Sequence, residues 1–368
     1  MTNVGILYPR SGIYPLLGSD LLEGIRAFLS TQGITDPKFT LAQVGFGENE
    51  KEVYQQVEKL LTYEKVDLDH KLARVLDPLF LATDRLFIVV NPGANYPHNW
   101  VPPRTTIYVS LQNSFLSYLT GRMAVEEGDQ QGALAVSYYD GGYLHCSSMV
   151  EGFMEGGGQI RFNHICSPSP QDFTIEPLIQ QIRALDLNAC LTLFSDGEAL
   201  KFLKHFHAAD LPTEANIYVS PMMFDEQLAG EETSTSSFQG YIPWHSGIDS
   251  EANRFFQATI QKVSSREPNL FSLLGWEAGM LLAALSRFNE KKGKNQVEEL
   301  KKLEFESPRG KALIDPDTQF LLAPIYKAIN IKGKISLEQR NGDEMWRQFT
   351  RMAKDLRASG WNNTYLCY

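Results

Sequence analysis

The chain has 368 residues, of which 43% are hydrophobic and 21% charged, with a net charge of −10 at pH 7. That length exceeds one average domain and suits two α/β domains, and the composition is ordinary for globular cores. The negative charge is spread along the chain rather than gathered in a tail. This argues against nucleic acid as a partner, because phosphate binding needs a basic footprint.

Strand-like and helix-like stretches alternate from the start. Val4 to Pro9 is a short apolar run ending in a turn, as a buried parallel strand should be. Ser19 can cap a helix in which Leu21, Leu22, Ile25, Phe28 and Leu29 share one face. Phe39 to Gly47 reads as the next strand, and Val53, Val57, Leu60 and Leu61 stripe a second helix. Leu86 to Gly93 and Thr105 to Ser110 are further strands. The pattern then restarts: a helix marked by Phe115, Leu119 and Met123, a strand from Ala133 to Tyr139, and a helix that Gly156 to Gly158 stop. A strand from Cys190 to Phe194, a helix from about Gly197 to His207 and a strand from Asn216 to Ser220 follow. Glu231 to Ser237 is a low-complexity loop. Two successive βαβ series imply two lobes with parallel sheets, and no long linker separates them.

Cys146, Cys166, Cys190 and Cys367 form neither a CxxC pair nor a metal-spaced cluster, so free buried thiols are expected. An oxidising compartment would instead allow a disulfide, whose connectivity the sequence leaves open. The apolar run Leu273 to Leu285 falls short of the ~20 residues of a membrane span and carries Glu277. The chain enters a strand at Val4 without a signal peptide, so the protein is either cytosolic or already freed of its leader.

Motifs that carry chemistry are few. Gly45-Phe46-Gly47 follows a strand but lacks the third glycine of a dinucleotide loop, and Glu48 and Glu50 would face a pyrophosphate. No phosphate loop, nucleophile elbow or zinc-protease motif is present. His205 and His207 stand two apart on a helix and point to different faces, so no metal is expected there. Asp225 and Glu226 read as solvated loop residues. No catalytic residue, metal or cofactor is therefore expected, and an enzyme is disfavoured.

At YPRSGIYPLLGSDLLEGIRAFL the chain resembles the opening of the type I periplasmic solute-binding proteins, in the branched-chain amino-acid (Leu/Ile/Val) binding family of ABC importers. A Ser-Gly turn and a second glycine bracket the first strand-to-helix loop, here Ser11, Gly12 and Gly18. In the family's order, IVVNPGAN resembles its strand and ligand loop, and YYDGGYLHCSSMVEGFMEGGGQI its second-lobe strand, tyrosine loop and helix. GWEAGMLLAAL resembles its late helix, and SPRGKALIDPDTQFLLAPIYKAI its glycine-containing stretch and returning strand. The order and spacing of these weak motifs over nearly the whole chain carry the resemblance.

The resemblance implies an α/β fold of two Rossmann-like parallel-sheet lobes on a three-crossing hinge. The crossings fall near Gln112 to Ser114, Pro243 to Ser246 and Pro316 to Ala323. The lobes are then 1–113 plus 246–318 and 114–245 plus 319–368. It further implies a monomeric, extracytoplasmic, periplasmic protein that closes around an amino-acid-like ligand and delivers it to a transporter permease. A sensor of the same fold, or an α/β enzyme with a cleft site, are the rival readings.

The ligand positions implied residue by residue are Gly93 and Asn95 in the first-lobe loop, Tyr143 in the second, and Ser195 with Asp196 after CLTLF. The family's acid for a ligand ammonium falls near Met222, and its aromatic lid on Leu17 with Tyr14 beside it. Asp196 is expected to replace the missing acid, with Asp225 or Glu226 as alternatives; otherwise Met222, Leu17 and Tyr14 make an apolar wall suited to an aliphatic or aromatic carboxylate without an amine. The structural alternatives are a satisfied turn for Asn95, lobe packing for Tyr143 and a helix cap for Asp196. In EKVDLDHKLARVL only Val66 to Leu68 remain as strand, and His70 or Lys71 stands where the family has a ligand-binding serine. A broken or truncated central strand is expected between Val66 and His70.

Overall fold

The computed structural model describes residues 4–8, 10–35, 37–43, 51, 55–56, 82, 85–94, 101–209, 211, 215–224, 236–288, 291–340, 342–355 and 365. The expected short strand at Val66 to Leu68, the Gly45-Phe46-Gly47 turn, Cys367 and the candidate residues His70, Asn95, Asp225 and Glu226 lie outside them.

The first lobe begins with β1 (Val4–Tyr8), α1 (Leu17–Thr31) and β2 (Phe39–Gln43), with β1 and β2 paired in parallel. β3 (Phe87–Asn91) and β4 (Thr106–Ser110) are parallel neighbours in a second sheet. Ser19 does not cap α1. The helix starts earlier, at Leu17, and the Ser19 hydroxyl donates back to the Leu16 carbonyl at 2.9 Å, from within the first turn.

The chain then passes into a seven-stranded sheet. Its path is α2 (Asn113–Glu126), β5 (Gln131–Ser137), a 3₁₀ turn (Asp140–Gly142), α3 (Leu144–Glu155), β6 (Gln159–Cys166), α4 (Glu176–Leu185), β7 (Ala189–Leu193), α5 (Asp196–Ala208), β8 (Asn216–Val219), a 3₁₀ turn (Pro221–Phe224) and β9 (Ser237–Ile242). From β6 through β5, β7 and β8 to β9 the pairing is parallel.

It returns through α6 (Glu251–Ser264), α7 (Leu270–Leu285), α8 (Gly293–Leu300), β10 (Glu304–Ser307), β11 (Gly310–Ile314) and β12 (Phe320–Leu322). These strands complete the five-stranded order β10-β11-β12-β4-β3. Finally β13 (Ile325–Ile331) and β14 (Lys334–Arg340) extend the seven-stranded sheet to β14-β13-β9-β8-β7-β5-β6, before α9 (Asp343–Asp355). The fold is thus two α/β lobes with mostly parallel sheets.

Two points differ from the sequence reading. The sheets are not wholly parallel, because β10–β11 and β13–β14 are antiparallel hairpins. Lys332 and Gly333 join β13 to β14 with φ of 49° and 82°, the two left-handed residues of a tight hairpin turn, whereas a parallel pair needs a long crossover. The five-stranded sheet of the first lobe also extends past residue 318. Phe320 and Leu321 pair with Tyr108 and Val109 of β4, so the last passage to the seven-stranded sheet is Ala323-Pro324 alone.

α7 is buried along its length except at Leu282 and packs on α1. With its following turn it is long and apolar enough to cross a membrane, yet here it is a core helix. Gly24 permits the close contact: a Cβ there would stand 2.1 Å from the Ser272 carbonyl oxygen. Asn269 starts α7 with a reciprocal cap, accepting from the Phe271 and Ser272 amides while its own amide donates to Ser272 Oγ. Beneath the passage from β4 to α2 lies a fully buried ion pair. Arg309 donates from Nε to Glu277 Oε1 at 2.8 Å and from Nη2 to Oε2 at 2.7 Å. Nη1 reaches Gln112 Oε1 at 3.4 Å, Gln112 Nε2 donates to the Leu321 carbonyl, and Tyr326 of β13 donates to the Arg309 carbonyl. Residues from two passages between the lobes are therefore tied together through Gln112 and Arg309.

Candidate ligand cleft between the lobes

The carboxyl ends of parallel strands are where α/β sheets bind ligands, since the loops there converge free of the crossover helices. In the first lobe these are the loops after β1 and β3. Ser11 Oγ accepts from the Tyr14 amide at 2.8 Å, and Tyr14 is buried edge-on against Phe271 at 5.1 Å. Leu17, half-buried, opens α1.

Gly93 has φ of 76°, and a Cβ on it would lie 2.6 Å from Ser110 Oγ. No other residue fits that turn without displacing the β4 terminus. The carbonyl of Gly93 is engaged by the amide and hydroxyl of Ser114 at 2.8 and 2.9 Å. Consecutive carbonyls of this loop receive both second-lobe helices: Pro92 accepts from the Asn113 amide, Gly93 from Ser114 and Ala94 from His145 at 3.2 Å. The starts of α2 and α3 therefore meet on one first-lobe loop, and the lobes touch there. Asn113 and His145 are 1% and 2% exposed, and among the described residues no hydrogen bond engages the Asn113 amide group or either His145 ring nitrogen.

The second-lobe side is built on Asp140, just past β5. Its carboxylate accepts from Ser137 Oγ at 2.7 Å, Ser195 Oγ at 2.8 Å and the Tyr365 hydroxyl at 2.7 Å, and its amide donates to Ser137 Oγ. His145 Nε2 stands 3.6 Å from the same carboxylate. Burial alone would raise the Asp140 pKa, but His145, Tyr365 and Ser137 together hold it below the ordinary carboxylate value. Asp140 is thus ionised at neutral pH. Burial, reinforced by the Asp140 charge, keeps the Tyr365 phenol well above its usual pKa and so a neutral donor. The same two causes push the Cys146 thiol up to about 12. Cys146, Cys166 and Cys190 are free and buried.

Of the sequence-derived candidates, Tyr143 and Ser195 join this cluster, with Tyr143 donating to the Tyr139 hydroxyl at 3.1 Å. Asp196 is solvent-exposed at the start of α5, with φ of 51°, and the buried acid is Asp140 instead. Ser195 precedes α5 but spends its hydroxyl on Asp140 rather than on capping. Met222 is packed in the apolar core. Sequence reasoning missed Asp140, His145 and Tyr365. For Asp140 a signal existed, an acid directly after a strand at a sheet's carboxyl edge. Nothing in the sequence around Tyr365 points to this site.

Residues 2–328 match the family described as periplasmic binding protein, and the chain belongs to it. It is accordingly a binding protein rather than an enzyme. No curated protein matches the sequence significantly. Solved structures share the fold. A solute-binding protein of an ABC transporter from Rhodopseudomonas palustris HaA2, in complex with p-hydroxybenzoic acid, is 19% identical with a TM-score of 0.72, covering 94% of this chain and 98% of that one. One from R. palustris in complex with benzoate is 19% identical with a TM-score of 0.73, covering 93% and 98%. The leucine-binding protein LivK of Thermotoga maritima is 14% identical with a TM-score of 0.69, covering 94% and 100%.

Proposed function

We propose that this protein is an extracytoplasmic solute-binding component of an ABC importer whose lobes close on a small carboxylic acid carrying an aromatic ring. The observation that carries this is the meeting of both lobes at Pro92 to Ala94, beside buried polar groups and aromatic rings. Ligand contacts made by both lobes favour the closed form over the open one, and that difference is what a permease can read. The Asn113 amide group and His145 Nδ1, at the starts of two helices and without a hydrogen-bond partner among the described residues, suit a carboxylate. Tyr139 and Tyr143 supply apolar walls. The relatives solved with benzoate and p-hydroxybenzoic acid support this ligand class.

An amino-acid-like ligand is the second reading, supported by the leucine-binding relative and by the expectation that Asp196 pairs with an ammonium. It requires the exposed Asp196 carboxylate to turn into the cleft, because Asp140 already accepts three hydroxyl donors. Calorimetry with leucine, phenylalanine, their deaminated acids and benzoate separates the two. Tighter binding of the acids without an amine is expected. Tighter binding of the amino acids, with loss of that affinity in Asp196→Ala, would overturn the first reading in favour of the second.

A further inference from the structure

Tyr365 is distant in sequence from everything it touches here, yet it is buried at 4% exposure. Its ring stacks on Tyr139 with centroids 5.8 Å apart and planes at 16°. It meets Tyr143 edge-on at 4.8 Å and His145 at 4.9 Å. Its hydroxyl donates to Asp140 at 2.7 Å and stands 2.7 Å from Ser195 Oγ. Rings thus flank the phenol on three sides and a carboxylate-serine pair reads its hydroxyl, all from the segments that follow β5 and β7. These groups recognise a phenol, whether it is joined to the chain or free.

Resting on the reading of this cleft as the ligand site, we infer that the slot between Tyr139, Tyr143 and His145 is a phenol-recognition subsite, and that Tyr365 is its intramolecular occupant, displaced by a soluble para-hydroxyaryl acid. Two phenols cannot share it: Asp140 Oδ1 already accepts from both Ser195 and Tyr365, and the ring fills the space between its neighbours. A tethered occupant competes at high effective concentration without consuming material. If it holds the slot nine-tenths of the time, it weakens the apparent affinity of a free ligand about tenfold. The device sets a threshold: the cleft responds to a phenolic acid only above the concentration at which the tethered ring is displaced.

The test is calorimetry with 4-hydroxybenzoate, benzoate and leucine on the full-length wild type, Tyr365→Ala and Tyr365→Phe. Tyr365→Phe keeps the ring and the fold while removing the hydroxyl. Support is a gain of about tenfold for 4-hydroxybenzoate in Tyr365→Ala, a smaller gain in Tyr365→Phe, and a change for leucine of less than about twofold. A Tyr365 ring resonance that moves to its solvent-exposed position when 4-hydroxybenzoate binds the wild type also supports it. Unchanged or weaker 4-hydroxybenzoate binding in both variants overturns the inference, since Tyr365 is then packing or a ligand contact. The inference also falls if neither variant binds 4-hydroxybenzoate. In that case the solute-binding reading survives if the wild type binds another compound of the panel, and falls too if none binds.

Discussion

Replacing Arg309 by Met tests whether the guanidinium beneath the hinge holds the fold together. The wild-type pair is bidentate, and both side chains are 0% exposed. Met fills much of the volume but removes the charge, leaving Glu277 buried with Ser307 Oγ at 2.6 Å as its remaining donor among the described residues. Breaking a buried pair by removing one partner costs about 3–5 kcal/mol, most of it from stranding the other charge. For a lobe of this size each kcal/mol lowers the midpoint by roughly 2–4 °C, so the melting temperature falls by about 10 °C. The double variant Glu277→Leu/Arg309→Met strands no charge and recovers at least half of the loss. Differential scanning calorimetry and urea titration of wild type, both single variants and the double variant complete the cycle. A loss below about 1 kcal/mol in Arg309→Met, or a double variant no better than the worse single one, refutes the argument.

Further outcomes follow from the same geometry. Gly24→Ala places a methyl within 2.1 Å of the Ser272 carbonyl oxygen, forcing α1 off α7 at a cost of about 3 kcal/mol, read from the urea midpoint. Asn269→Ala removes the cap of α7 and the 2.8 Å bond to buried Asp20, and lowers stability by about 2 kcal/mol, again by urea titration. Asp140 has a folded-state pKa below its unfolded value. Its contribution to stability is therefore complete above about pH 4 and lost as pH falls through the lower folded value. Asp140→Asn is accordingly less stable at neutral pH and shows a flatter acid limb below about pH 4, and an acid limb as steep as the wild type's contradicts the assignment.

The sequence by itself determined the alternation of strands and helices and the class of fold, because apolar periodicity and terminator residues are local properties. The segments that hold Tyr143 and Ser195, named from the resemblance, follow β5 and β7, and a loop after a parallel strand reaches the carboxyl edge wherever the strand lies. The sequence erred where two local signals compete. Ser19 carries a capping side chain, but the apolar face of α1 begins at Leu17, and burial of that face set the helix start.

Tertiary structure alone decided the rest. The reach of β12 into the five-stranded sheet rests on its pairing with β4, far away in the chain. The pairing of Glu277 with Arg309 and the bond from Tyr365 to the Asp140 carboxylate are likewise contacts between distant segments. A side chain's charge is written in its identity, but its energy depends on what excludes water from it. Water is excluded here only when both lobes and the residue near the end of the chain come together.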